Sequence, residues 1–77
     1  MVTSTFTDAY RNLIASLVAA RQSASLTQHA LASLLGKPQS FVSKYERGER
    51  RLDVVEFVTV ARALGVDPCE LIREHVS

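Results

Sequence analysis

Within nine residues, Gln39 to Arg47, the chain gathers an amide (Gln39), two hydroxyls (Ser40, Ser43) and two cations (Lys44, Arg47). No nucleophile here stands with a base and an orienting partner, so the group does not point to bond-breaking chemistry and an enzyme is not expected. Its chemistry is hydrogen bonding. An amide matches the donor and acceptor on the edge of adenine, lysine donates to guanine O6 or N7, and guanidinium and hydroxyl groups suit phosphate oxygens. Gln39 and Ser40 open the segment and Lys44 follows one turn later, which makes these three the expected readers of base edges. His29, His75 and Cys69 are scattered without metal-ligand spacing, so neither a metal nor another cofactor is expected.

Two short amphipathic helices must position those side chains. Leu31, Leu34 and Leu35 give the first of them an apolar stripe at helical spacing. Ala32 is small enough to let a second helix cross closely. Gly36 falls where the first must stop, since glycine enters the left-handed region without steric cost. Val42 and Tyr45, three apart, form the inward face of the second helix and leave Gln39, Ser40, Ser43, Lys44 and Arg47 on its other faces. The plainer reading is a helical hairpin whose polar side is merely wet. The crowding of amide, hydroxyl and cationic groups at the start of the second helix favours insertion into the major groove of double-stranded DNA instead.

The stretch from Thr27 to Gly48 resembles the helix-turn-helix of the phage-repressor-like (Xre/Cro) family in Gln28, Ala32, Gly36 and Val42. The likeness runs on through Glu46-Arg47-Gly48 to Ala61-Arg62-Ala63-Leu64-Gly65-Val66. It implies an all-α, five-helix fold of the lambda-repressor-like type, with helices two and three as the reading unit, and it supports Gln39, Ser40 and Lys44 as base readers. By the same resemblance Gln28 holds a phosphate and braces Gln39. Thr27, Lys37, Ser43, Arg47 and Arg50 are then expected at backbone phosphates, Thr27 doubling as a helix cap. The sequence departs from the family at Pro38, where a capping Ser or Thr is usual, and at Phe41, where a small or hydroxylic residue is usual. Phe41 has two readings: contact with a thymine methyl or sugar, or packing beside helix four.

Seventy-seven residues fit one domain, expected to span 1–77 with 1–5 frayed. The net charge of +1 is small but unevenly placed: residues 37–51 carry +3 and residues 52–77 carry −3, so positive charge concentrates around the reading helix. No apolar run approaches the ~18 residues of a membrane span, no leader pattern opens the chain, and a lone cysteine forms no internal disulfide. Cytoplasm is the default location by the absence of anything else, and no small-molecule ligand is evident.

The first helix is expected over Asp8–Ser23, with Tyr10, Leu13, Ile14, Leu17 and Val18 on one stripe. Arg21 continues that stripe and needs a partner, for which Glu46 is the natural candidate, or else it snorkels at the core rim. Thr27, Asp53 and Asp67 each follow an apolar residue and precede a helix, as capping residues do. Asp53 with Glu56 and Asp67 with Glu70 read as capping boxes, with Pro68 at a first helical position. Helix four is expected from about Val54 to Leu64, burying Phe57, Val58, Ala61 and Leu64, and helix five from about Pro68 to Val76. Val66, Ile72 and Val76 offer a homodimer surface, the alternative being closure of the protein's own core. The expectation is a repressor-like, sequence-specific regulator that binds two half-sites as a homodimer. The alternatives are a protein-interaction module such as an antitoxin or adaptor and, within the DNA-binding class, a restriction–modification controller.

Overall fold

Helix ends are set by side chains that accept orphan backbone N–H groups. In the computed structural model, which describes residues 7–76, Thr7 Oγ1 accepts from Tyr10 N at 3.2 Å and starts α1 (Asp8–Ser23). Thr27 Oγ1 accepts from Ala30 N at 3.0 Å and starts α2 (Gln28–Leu35). α3 (Gln39–Glu46) begins after Pro38, which gives no side-chain cap. α4 (Val54–Ala63) opens on a full capping box: Asp53 takes the N–H of Glu56 at 2.7 Å and Glu56 takes that of Asp53 at 3.0 Å. α5 (Pro68–His75) differs from the expected box. Asp67 accepts from Cys69 N at 2.9 Å, while Glu70 turns to Arg73 at 3.5 Å, so the cap is one-sided. The expected fraying of residues 1–5 lies outside the described residues.

No strand occurs among the described residues. α2 and α3 pack on each other, α1 touches α3 and α5, and α4 lies against α2 and α5. The core between them holds Leu17, Leu31, Val42, Tyr45, Val60 and Ala61, all essentially inaccessible, with Ile14, Ala32, Phe41, Leu52 and Phe57 around them. Two expectations about the stripe change. Leu34 is 63% exposed, because Leu31, Ala32 and Leu35 cluster on one side of a helix that turns about 100° per residue and Leu34 falls off that side. In α4 the deepest residues are Phe57, Val60 and Ala61, whereas Val58 and the capping residue Leu64 are half-buried.

Between α2 and α3, Gly36 takes φ +66° while Lys37 N reaches Ala32 O at 3.0 Å and Gly36 N reaches Ser33 O at 3.1 Å. This left-handed closure turns the chain sharply enough for α3 to cross α2 within three residues of its end. Tyr10 of α1 closes the other side of α3: its hydroxyl accepts the N–H of Leu52 at 3.1 Å and so ties the loop after α3 to α1.

Candidate nucleic-acid interface

Burial divides α3 cleanly. Phe41, Val42 and Tyr45 are buried, whereas Gln39, Ser40 and Lys44 are exposed and Ser43 is half-buried. Lys37, just before the helix, and Arg47, at its end, are exposed as well, and Thr27 is exposed at the neighbouring start of α2. An apolar inner face therefore fixes the helix against the core while its amide, hydroxyl and ammonium groups stand in solvent. Arg47 is only loosely held, 3.2 Å from exposed Glu49, and such a surface pair opens at small cost.

Behind this face lies a chain of hydrogen bonds. Arg21 Nε donates to Glu46 Oε2 at 2.8 Å and Nη2 to Oε1 at 3.1 Å, while Nη1 donates to Leu26 O at 2.8 Å. The side chains are 13% and 7% exposed, so this two-pronged pair joins α1, the α1–α2 turn and α3 out of bulk water. The bonding carboxylate raises the Arg21 pKa above its ordinary value, against an opposing effect of burial. Gln28 Nε2 adds a third donor to Glu46 Oε1 at 2.9 Å. Gln39 Nε2 reaches Gln28 Oε1 at 3.5 Å, a long contact that nonetheless brings the two amides together.

Phe41 packs inward. It is 9% exposed, meets Tyr45 edge-on with ring centroids 5.7 Å apart, and shares a small cavity of about 150 Å³ with Leu35, Val55 and Thr59. Of its two readings, packing beside α4 is the one present here. Arg50 stands over the Phe41 ring at 4.9 Å and donates two bonds to Glu56 at 2.8 and 2.7 Å. That guanidinium is paired within the protein while its side chain stays 40% exposed, so a phosphate would meet it already bonded to Glu56. Hydrogen bonds from Arg50 and from the Asp53 backbone hold the Glu56 carboxyl down to about 2. The signal for this pair was present in sequence, since Glu56 belongs to a capping box, but nothing there distinguished Arg50 from Arg51 as its partner.

The helix-turn-helix family model matches residues 17–71, well over half of the chain. Among solved structures, the XRE-family like protein from Pseudomonas syringae pv. tomato str. DC3000 is 50% identical, with a TM-score of 0.82, over 86% of this chain and 80% of that one. The chain belongs to the Xre-type helix-turn-helix family. No curated protein matches it significantly. As a DNA-binding helix-turn-helix protein it carries its reading unit in α2 and α3, and the matched span takes in the whole Arg21–Glu46–Gln28–Gln39 chain.

The remaining site expectations of this helix-turn-helix protein concern α5 and the loop before it. Ile72 and Val76 are 42% and 47% exposed, and Val54, which sequence reasoning passed over, is 76% exposed. All three line an apolar groove of about 300 Å³ whose floor includes Tyr10, Leu13 and Phe57. Val66 is instead half-buried against the protein's own core. α5 is moored to α1 by His75 and Ser16, with Nε2 and Oγ 2.8 Å apart. Among the described residues no group of three or more His, Cys, Asp or Glu side chains is placed to hold a metal, and no helix is long and apolar enough to cross a membrane.

Proposed function

We propose that this protein is a sequence-specific, repressor-like regulator that lays α3 in the major groove of double-stranded DNA and acts by occupying an operator. One observation carries the reading: a helix with one face fully buried through Val42 and Tyr45 holds Gln39, Ser40 and Lys44 exposed on the other. Gln39, Ser40 and Lys44 read base edges. Thr27, Gln28, Lys37, Ser43 and Arg47 meet phosphates and fix the register of the helix on the duplex. Arg50 serves by holding Phe41 and α4 in place. Two copies associate through the apolar groove of Ile72, Val76 and Val54 and bind half-sites about one helical turn apart. Family membership supports the DNA-binding part, and the patch of exposed valines and isoleucine supports the association.

Selection of bound duplexes from a random-sequence library, with the mass of the complex measured alongside, tests this reading. The expected outcome is a defined two-part motif, two protein copies per duplex, and affinity that falls steeply as salt rises through counterion release. Recovery of no motif, with weak binding indifferent to sequence, would overturn it in favour of a protein-interaction module.

A further inference from the structure

We infer that Glu46, a carboxylate turned away from solvent, decides which base Gln39 accepts by fixing the orientation of two successive side-chain amides. The inference rests on the DNA-reading role proposed above. A carboxylate only accepts hydrogen bonds. Gln28, 2.9 Å from Glu46 Oε1, must therefore turn its Nε2 inward and its carbonyl toward α3. That carbonyl is in turn approached only by a donor, so Gln39 gives it an N–H, at 3.5 Å. What remains on the outward side of Gln39 is its carbonyl oxygen and one N–H. Adenine complements that pair through its N6 amino group and N7, whereas guanine presents two acceptors, O6 and N7, and opposes the carbonyl.

Arg21 makes the device one-directional. It fills both carboxylate oxygens, at 2.8 and 3.1 Å, and neutralises a charge that would otherwise face the DNA backbone. Gln28 also keeps its second Nε2 proton, free to meet a phosphate oxygen, so one amide serves register and polarity together. Glu46 is thus a positioning residue that touches no base.

Glu46→Gln tests this directly. Arg21 demands an acceptor, so the new amide turns its oxygen to Arg21 and its N–H₂ to Gln28. Gln28 then flips, Gln39 flips with it, and Gln39 offers two donors outward, the pattern that suits guanine. The full-length protein is first used to select duplexes from a random-sequence library. The base pair read by Gln39 is identified as the one whose discrimination disappears in Gln39→Ala. Four duplexes differing only at that pair are then titrated with wild type, Glu46→Gln and Gln28→Met, with folding checked by circular dichroism. Wild type should favour adenine by about tenfold or more. Glu46→Gln should lose that margin or invert it toward guanine, with preferences at the other pairs intact. Gln28→Met leaves the Arg21–Glu46 pair in place and decides the matter if Glu46→Gln fails to fold. It should erase discrimination at this pair alone while weakening all sites evenly. A folded variant of either kind that keeps the wild-type preference at this pair, or a wild type that favours guanine there, overturns the inference. A wild type that selects no sequence at all overturns the proposed function instead.

Discussion

Replacing Arg21 by Ala should remove a large part of this protein's stability. The pair it forms with Glu46 is 13% and 7% exposed, and the substitution deletes three hydrogen bonds at once, two to Glu46 and one to Leu26 O. The larger effect is on what stays behind: a sequestered carboxylate whose one remaining side-chain partner is the neutral amide of Gln28. Removing one member of a buried pair costs about 3–5 kcal/mol, and slight water access places this site at about 3. A chain of this size has a total stability of about 4–12 kcal/mol, so the loss takes about a quarter to three quarters of it. At about 4–8 °C per kcal/mol, the expected fall in Tm is about 12–24 °C. Thermal unfolding followed by circular dichroism measures the fall in Tm, and urea unfolding measures the loss of free energy. The double variant Arg21→Met, Glu46→Leu should recover much of the loss, because no charge is then stranded and apolar replacements of a buried pair are often tolerated. An Arg21→Ala protein within about 1 kcal/mol of wild type would refute the reasoning, as would a double variant no better than the single one.

Three further outcomes are expected. Gln39→Ala should cost about 1–3 kcal/mol at one base pair, whereas Arg47→Ala should weaken all sequences alike and reduce the salt slope by about 1. Equal and sequence-blind losses in competition binding would end that division of labour. Tyr45 is fully buried, and among the described residues its hydroxyl has no hydrogen-bond partner. Tyr45→Phe should therefore stabilise by about 1 kcal/mol through relief of an uncompensated desolvation cost, visible as a higher urea midpoint. Glu56 is held down to about 2, below its unfolded value. The stability it contributes is complete above roughly pH 4.5 and is lost as pH falls toward 2. Acid titration of unfolding free energy in wild type and Glu56→Gln should show a shallower acid limb in the variant.

The fold was legible because its punctuation is local. Thr27, Asp53 and Asp67 mark helix starts through hydrogen bonds that span two or three residues, Pro68 marks one by needing no donor at the first helical position, and Gly36 marks a stop through its own backbone freedom. The stripes of α1 and α3 were equally plain, since their periodicity is regular. Leu34 misled because α2 is only two turns long, and in so short a helix Ala32 completes the inner face as well as a leucine does. The Asp67–Glu70 box failed because Asp67 bonds one residue earlier, at Cys69. At the site, the exposed row of α3 followed from its own spacing. The bond from Gln28 to Glu46 did not, because it joins residues 18 apart and depends on how α2 and α3 cross. The pairing of Arg50 with Glu56 was hidden for a related reason: a cation beside a polar helix reads as unpaired until its acidic neighbour is placed.

The anchoring of α3 at both ends has a kinetic and energetic consequence. Arg21 grips Glu46, Tyr10 grips the backbone at Leu52, and Arg50 braces Phe41 from above. On the proposed reading, a helix so fixed would lose little backbone freedom on meeting the duplex, and association would then quiet chiefly the long solvent-facing side chains, at about 0.5–1.5 kcal/mol for each one immobilised. Encounters would then succeed or fail on the fit of the helix as it stands, and a mismatched duplex would find no pliable backbone with which to compromise.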